Sequence, residues 1–275
     1  MMKQLTILFL LSLILISCET NPPAAPDTTP TGNVSLTINV DNSTNVAAAN
    51  KIVVIEDFAN VSCVPCVKSN AVIERLANET YGRSSLVAVK FPTNFPAPND
   101  LFYLAAKPIC DARISYYNVF FAPTTVIDGI LKPISTDSVS VIAAIDERLA
   151  INPKFNVTVS AVLEGDYNIN VSIKFIDTTG VNMNDLVINT VITETNIQFT
   201  QPPGSNGETK FYDVTRLMLP SNAGASIRQL VDQGEISYEF KDALLSSWDL
   251  QNINAVVYIQ DKNLKEIYQT GSTFN

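Results

Sequence analysis

The chain has no histidine, one tryptophan and only four cysteines among its 275 residues. A closed zinc site needs four ligands, and without imidazole all four cysteines would have to supply them, so we expect no metal and no cofactor. Acidic residues outnumber basic ones by 27 to 18, and the formal net charge is −9. Because the lysines and arginines form no basic cluster, nucleic acid is excluded as a partner.

Residues 1–17 carry one charge, Lys3, and an apolar run of about a dozen residues, which is short for a bilayer core of about 30 Å. The segment resembles a bacterial lipoprotein signal peptide in which Leu15 to Cys18 form the lipobox. That resemblance implies cleavage before Cys18 and lipidation of its sulfur. The alternative is an anchor that is never cleaved.

Residues 18–32 follow as a tether that is rich in proline, threonine and asparagine and has no apolar periodicity. A lipid on Cys18 and a tether behind it predict a membrane-attached protein outside the cytoplasm. Glu19 stands where enteric lipoproteins of the inner membrane carry aspartate. We therefore predict the outer membrane, at its periplasmic face or at the cell surface.

The rest of the chain is organised around the stretch from Lys51 to Cys66. Residues 52–58 form a β-branched run typical of a buried strand, a polar loop follows, and Cys63 and Cys66 begin a segment with helical periodicity. At the first turn of a helix, free N–H groups and the helix dipole favour thiolate over thiol. Cys63 is therefore the predicted nucleophile, and Cys66 is close enough to form a disulfide with it and to resolve a mixed disulfide.

Asp57 precedes Cys63 by six residues and shares a strand face with Val53 and Ile55. A carboxyl group among apolar side chains has a raised pKa because burial penalises its charged form. Asp57 is therefore predicted to pass a proton to or from Cys66 during thiol–disulfide exchange.

Asp57-Phe58, four more residues and Cys63-Val-Pro-Cys66 resemble the thioredoxin pattern of strand acid, loop and redox pair. A second match lies downstream, where residues 117–119, then Pro123-Thr124 and later Gly129 resemble the thioredoxin segment that carries a cis-proline opposite the active site. The resemblance implies a thioredoxin-like fold in which Pro123 shapes the substrate groove.

The resemblance leaves three points open. Lys90 is expected on the next strand, where it lies either near Asp57, as a lysine does in thioredoxins, or out in solvent. Ser62 replaces the tryptophan that commonly precedes the first cysteine. The Val-Pro dipeptide resembles that of membrane-tethered reductants, and the absence of a histidine between the cysteines argues against a strong oxidant.

We predict that residues 33–152 form an α/β thioredoxin-like domain. Strands over 52–58, 86–91 and 124–128 alternate with helices over 69–77, 101–106 with 109–115, and 138–149. Residues 33–40 are expected to add an edge strand to one of the two domains. The proline-rich loop 92–100 and the helical pieces after it suggest an insertion near the active site. Cys110, in that insertion, is expected to be a buried free thiol, although it could also approach the redox pair or pair between molecules.

Residues 153–275 differ in kind, because alternating segments separated by Gly, Asn and Asp turns predict an all-β immunoglobulin-like sandwich. The predicted strands are 155–163, 167–176, 186–199 and 255–260, with a polar loop at 201–208 and a helical turn at 226–233. This half contains neither cysteine nor histidine, and we see no catalytic constellation in it.

A lipoprotein with a thioredoxin-like domain and a β-sandwich resembles the 28-kDa outer-membrane-protein family of Bacteroidetes. The residues that carry this resemblance are 56–66, 116–129 with its Pro-Thr-x-x-Ile-Asp-Gly ending, 216–220 and 254–265. Two hypotheses follow. The first is a thiol–disulfide oxidoreductase that acts on protein thiols or disulfides. The second is a cell-surface binding or adhesion lipoprotein whose sandwich engages a surface or polysaccharide partner and whose disulfide is structural.

Overall fold

The computed structural model describes residues 49–227, 244–245 and 247–274, together with the backbone of 39–41 and 235–242. The predicted signal peptide 1–17 and the tether 18–32, including Cys18, lie outside the described residues. So do most of the predicted edge strand 33–40 and most of the helical turn 226–233. Within the described segments, no helix combines the length and the apolar character needed to cross a membrane.

The first half of the chain alternates strands and helices, as the sequence predicts. A π-helical turn, Leu76–Thr80, extends the first helix. The elements are β1 (Asn39–Asp41), β2 (Val53–Ala59), α1 (Val64–Arg75), β3 (Leu86–Pro92), α2 (Leu101–Ala105), α3 (Lys107–Tyr117), β4 (Thr124–Ile127) and α4 (Ser138–Leu149).

Strand β2 is buried along its whole length because helices cover both of its faces. Val53 and Ile55 pack against α1 and α4, whereas Val54 and Phe58 pack against α3 on the opposite face. The strand runs parallel to β3 and antiparallel to β4. Asp57 and Cys63 are therefore positioned by a rigid strand and by the loop at its carboxyl end.

The second half is almost entirely β-structure, with short 3₁₀ turns at Met183–Asp185 and Leu250–Asn252. The predicted strand over 186–199 ends earlier than expected, at Glu194, and resumes for two residues. The strands are β5 (Phe155–Glu164), β6 (Asp166–Phe175), β7 (Leu186–Glu194), β8 (Ile197–Gln198), β9 (Lys210–Phe211), β10 (Val214–Leu219), β11 (Ala225–Ser226), β12 (Glu235–Asp242), β13 (Ile253–Asp261) and β14 (Ile267–Ser272).

One eight-stranded mixed sheet contains strands from both halves of the chain. Its order is β14-β13-β7-β10-β3-β2-β4, with β11 paired to β7. The halves join where β10 runs parallel to β3, at the Val214–Lys90 pair, and the Lys90 N–H donates to the Asp213 carbonyl at 2.8 Å. Strands from before and after the predicted domain boundary at residue 152 therefore belong to the same sheet.

A four-stranded sheet, β1-β12-β6-β5, packs against the β7 and β13 end of the larger sheet, and β1 is its edge strand. The apolar layer between the sheets includes Phe155 and Ile169 from the smaller sheet and Ile188 and Val257 from the larger one. Alternate residues of β5 and β6 face this layer, as the period-2 pattern predicts. Extra β-structure stacked in two layers is thus part of the fold.

Candidate functional site

Cys63 and Cys66 form a disulfide at the start of α1, with their Cα atoms 5.3 Å apart. Cys63 is the N-cap residue of the helix, and Pro65 lies in the first turn, where no N–H donor is needed. The Cys66 N–H donates to the Cys63 carbonyl at 3.1 Å, and the positive end of the helix dipole lies at the disulfide. The pair therefore lies where the sequence predicts it, at the end of β2 with a helix behind it.

The loop that leads into Cys63 is fixed by buried polar side chains. The amide of Asn60 donates to the carbonyls of Thr93 and Ala97, and its oxygen accepts from the Ser62 N–H at 2.8 Å. Asp100 accepts from the Val61 N–H at 2.8 Å. Because Thr93, Ala97 and Asp100 belong to the proline-rich segment, the predicted insertion does lie against the active-site loop.

A segment of the second half also reaches this loop. We call residues 199–209, which connect β8 to β9, the cap loop. Phe102 packs edge-on between Phe199 and Phe211 at the base of the cap loop, with ring centroids 5.9 and 5.0 Å away. Val61 belongs to the same apolar cluster. This cluster seats the cap loop against the loop that carries Cys63.

Hydrogen bonds extend that contact to the cysteine itself. The Asn206 N–H donates to the Val61 carbonyl at 3.2 Å, and the Ser205 N–H donates to the Ser62 hydroxyl at 3.3 Å. The Asn206 side-chain amide donates to the Cys63 carbonyl at 3.4 Å. The cap loop thus binds the backbone on either side of Ser62.

The cap loop lies very close to the main chain at Gly204, where a methyl group would overlap the Val61 carbonyl. Glycine is needed here because only hydrogen fits between the two backbones. Cys63 is only 2% exposed, and Cys66 is fully buried. The disulfide is therefore covered in this structure, and the cap loop is one of the segments that cover it.

Exposed apolar side chains surround the covered pair. Val64, directly after Cys63, is 69% exposed, and Phe120 and Phe121 are 79% and 66% exposed. Ala122 packs against both cysteines, and the Ala122–Pro123 peptide bond is cis. The structure thus brings the second sequence motif up to the first, as the thioredoxin resemblance implies.

Asp57 is buried on the β2 face that looks toward α1. One of its oxygens accepts from the Thr125 hydroxyl at 3.2 Å. Within the described part of the chain, the other oxygen, Oδ2, has no hydrogen-bond partner. Burial raises the pKa of Asp57 to about 6, and the opposing effects of the Lys90 charge and the Thr125 hydrogen bond are smaller.

A cavity of about 420 Å³ opens beside Asp57, between α1 and residues 208–213 of the second half. Asn70, Lys90 and Glu208 line it. The Lys90 ammonium donates to the Asn70 side chain at 2.8 Å, and its charge lowers the pKa of Asp57. Of the two predicted locations for Lys90, the structure shows the one near Asp57.

Cys110 does not approach the redox pair. It is buried beside Tyr103 and Ala106 and forms no disulfide with any described residue. Burial raises its pKa well above the ordinary value, so the group is a neutral thiol. Cys110 therefore behaves as the small apolar core residue that the sequence predicts.

The face of β2 opposite to Asp57 carries a buried polar cluster that the sequence analysis missed. Glu56 accepts hydrogen bonds from Arg113 and Tyr117 of α3 and, at 3.1 Å, from the Tyr258 hydroxyl of β13. Burial tends to lower the pKa of Arg113, but Glu56 and the tyrosines outweigh it and hold the pKa above its ordinary value. The cluster ties the two halves together behind the redox site.

The sequence analysis also missed Asn206 and Glu208, which it placed only in a polar loop. Both are more than 130 residues from their partners in the first half, so no local pattern could reveal the contact. In the described ranges, no three acidic or cysteine side chains are placed to hold a metal ion.

No protein-family model and no curated protein matches this chain. Among solved structures, HBP35 of Porphyromonas gingivalis matches with a TM-score of 0.63 and 12% identity, over 82% of this chain and 76% of that one. A protein of Agrobacterium tumefaciens matches with a TM-score of 0.53 and 13% identity, over 83% and 95% of the two chains.

A domain of the outer-membrane lipoprotein Omp28 of Porphyromonas gingivalis matches with a TM-score of only 0.28 and 15% identity, over 44% of this chain and 86% of that one. A likeness this low carries no argument about the present chain. At 12% and 13% identity, the first two matches establish similarity of fold alone. Over most of its length, the chain is thus similar in fold to HBP35.

Proposed function

We propose that the protein is a lipid-anchored, extracytoplasmic thiol–disulfide oxidoreductase. One observation carries the proposal: a Cys63–Cys66 disulfide begins the helix that covers a buried Asp57, one oxygen of which has no hydrogen-bond partner among the described residues. A disulfide that only holds a fold together needs no acid nearby. A disulfide that forms and breaks needs a group to take and return the proton of its buried cysteine.

In the reductive direction, the Cys63 thiolate attacks one sulfur of a substrate disulfide. The substrate S–S bond breaks, one substrate sulfur leaves as thiolate, and a mixed disulfide joins Cys63 to the other. Cys66 then gives its proton to Asp57 and attacks the Cys63 sulfur, which releases the second substrate thiolate. Two electrons pass from the pair to the substrate. The proton held by Asp57 returns to one substrate thiolate, and the proton that Cys63 released to water on ionising is matched by one that the other substrate thiolate takes from water.

The surface around the pair supports a polypeptide as the substrate. Val64, Phe120 and Phe121 expose apolar area next to the disulfide, and such area favours contact with apolar side chains of another chain. Pro123 directly follows Ala122, which packs against the cysteine cluster. We assign Pro123 to the wall of the groove that would receive the substrate.

The direct test is to trap the mixed disulfide. In a Cys110→Ser background, Cys66→Ala should accumulate disulfide-linked partners through Cys63, because the resolving thiol is missing. They should appear on non-reducing gels of extracytoplasmic extracts and vanish with dithiothreitol. The matched control, Cys63→Ala, should trap none. Equal trapping by both variants, or none by either, would count against the proposal.

A second candidate function rests on the burial of the pair, because Cys63 is 2% exposed. A structural disulfide is covered and inert, so a binding or adhesion protein with a thioredoxin-like scaffold also fits this observation. An equilibrium titration in glutathione buffers separates the candidates. A reversible midpoint between about −120 and −270 mV supports exchange, and one below about −300 mV supports a structural disulfide.

The location and the domain division belong to the same proposal. The lipobox Leu15 to Cys18 supports lipid attachment, and the Cys63–Cys66 disulfide supports an oxidising compartment outside the cytoplasm. We assign residues 33–152 to the thioredoxin-like domain and 153–275 to the immunoglobulin-like sandwich, which would engage any surface or polysaccharide partner. The resemblance to the 28-kDa outer-membrane-protein family of Bacteroidetes supports this arrangement.

A further inference from the structure

We propose that Glu208, in the cap loop, is a positioning residue of the redox site and that its carboxylate controls proton exchange at Asp57. This inference rests on the proposed function, since it assigns a part in that chemistry to the second half of the chain. Neither the cysteine motif nor the segment around Pro123 contains Glu208, which lies 142 positions after Cys66 in the sequence.

Glu208 is held in place from both halves. One carboxylate oxygen accepts from the Asn70 side chain of α1 at 2.7 Å, and the other accepts from the Asn206 side chain at 2.6 Å. The Glu208 N–H also donates to the Asn206 oxygen at 2.9 Å. Because Asn206 binds the Cys63 carbonyl, a short chain of hydrogen bonds connects Glu208 to the cysteine loop.

The same carboxylate lines the cavity beside Asp57, and so does the Lys90 side chain. The negative charge of Glu208 favours the protonated form of Asp57, whereas the positive charge of Lys90 favours the ionised form. Asn70 touches both, since it donates to Glu208 and accepts from Lys90. One side chain of α1 therefore connects the two charged groups that act on Asp57.

Other charged and titratable groups face this cavity and must be considered with them. Besides the Thr125 hydroxyl on β4, they come from α1, from the π-helical turn after it and from the chain that enters β10. They are Glu74, Arg75, Glu79, Lys210, Tyr212 and Asp213. Of the groups in the cavity wall, Lys90 and Glu208 are the charged ones that shift the pKa of Asp57.

This arrangement fits the proton transfer that exchange requires. When Cys66 attacks the mixed disulfide, Asp57 must accept a proton, and a neighbouring negative charge makes it a better acceptor. The proton then has to leave the buried site. The cavity lined by Glu208 and Lys90 adjoins Asp57 on that side.

The test is to follow the Asp57 carboxyl carbon by NMR as a function of pH in the oxidised full-length protein. Glu208→Gln keeps a group that can hydrogen-bond to Asn70 but removes the charge. It should lower the Asp57 titration midpoint on the order of half a pH unit, a factor of about three in proton affinity. Lys90→Met should shift the midpoint in the opposite direction.

A loosened site would also lower the midpoint, because water reaching Asp57 reverses the effect of burial. Glu208→Asp separates the two causes, since it keeps the charge on a shorter side chain that cannot keep both hydrogen bonds. A midpoint near that of the unaltered protein in Glu208→Asp supports control by charge. A midpoint as low as in Glu208→Gln, or no shift in Glu208→Gln, overturns the inference.

The oxidised protein titrates whether or not it is an enzyme, so this result is independent of the proposed function. The link between them is tested by the pH profile of insulin reduction, with dithiothreitol as the reductant. Its acid limb should move with the Asp57 midpoint in Glu208→Gln. A moved NMR midpoint with no reduction by the unaltered protein would reject the proposed function alone. A moved midpoint with a fixed acid limb would reject a role of Glu208 in the reaction.

Discussion

Glu56 and Asp57 are neighbours on β2 and both are buried, but they differ in the number of hydrogen-bond donors around their carboxyl groups. Glu56 points toward α3 and β13, where an arginine and two tyrosines donate to it. Asp57 points toward α1, receives one hydroxyl hydrogen bond and keeps one oxygen without a described partner. One residue along the strand thus separates a satisfied carboxylate from an unsatisfied one.

The difference indicates what each group is for. A buried charge with a full set of donors holds elements together, and losing one donor is costly. A buried carboxyl with a vacant acceptor lowers stability but can change its protonation state near neutral pH. We therefore assign Glu56 to the contact between the two halves and Asp57 to chemistry, and substitutions on both faces of β2 test that assignment.

The largest effect should come from Arg113→Met, which leaves the Glu56 carboxylate buried without its cation. We expect the free energy of unfolding in urea at pH 7 to fall by about 3–5 kcal/mol. Arg113 is 3% exposed, so water cannot replace the lost partner without disturbing the core.

The double variant Glu56→Gln with Arg113→Met is the matched control, because it removes both charges together. It should recover a large part of the stability lost by Arg113→Met, since no buried charge is left unpaired. If Arg113→Met alone lost less than about 1 kcal/mol, the cluster would not be the structural join that its geometry indicates.

The second effect depends on pH. The pKa of Asp57 is about 6 in the folded protein against an ordinary 3.8, so the folded state binds the proton more tightly than the unfolded chain does. Stability due to this group is therefore highest below pH 4, falls as the pH rises to 6, and is constant above it. The total loss is about 3 kcal/mol.

Asp57→Asn removes this dependence, because an amide does not titrate. We would measure the free energy of unfolding in urea from pH 3.5 to 7.5. Relative to the unaltered protein, Asp57→Asn should become more stable as the pH rises through this range. If the difference in the free energy of unfolding between the two proteins stayed constant across this pH range, Asp57 would titrate normally and the contrast with Glu56 would be lost.

Much of the first half could be predicted because its signals are local. A β-branched run, a Cys-x-x-C at a helix start and helical spacing over 138–149 each lie within one element, and α4 has the predicted bounds. The cysteine pair and Asp57 were predicted in this way, whereas Pro123 was predicted from the resemblance to thioredoxin. The disulfide and the cis peptide bond before Pro123 agree with the thioredoxin resemblance.

The structure of the second half was harder to predict from the sequence because it depends on long-range contacts. β10 begins after a polar loop and contains Arg216, yet it pairs with both β7 and β3. Its parallel partner β3 is over 120 residues away in the sequence, and no local hydrophobic pattern can indicate such a pairing. The cap loop is similar, since Gly204 and Asn206 read as ordinary turn residues. Their role appears only when the second half folds back onto the cysteine loop.

The smallest effect should come from Thr125→Val, which sharpens the comparison without breaking it. Valine has nearly the same shape but cannot donate, so Asp57 loses the Thr125 hydrogen bond of 3.2 Å that stabilises its charged form. The pKa of Asp57 should therefore rise above about 6, and the carboxyl carbon should titrate at higher pH by NMR. At pH 4, where the group is protonated in the folded state, we expect stability to change by less than about 1 kcal/mol.

Tyr258→Phe is the counterpart on the other face, and because it removes a donor from Glu56 it should lower stability without moving the Asp57 midpoint. A shift of that midpoint in Tyr258→Phe would mean that the two carboxyl groups are coupled through β2, and the separate roles assigned to its two faces would be wrong.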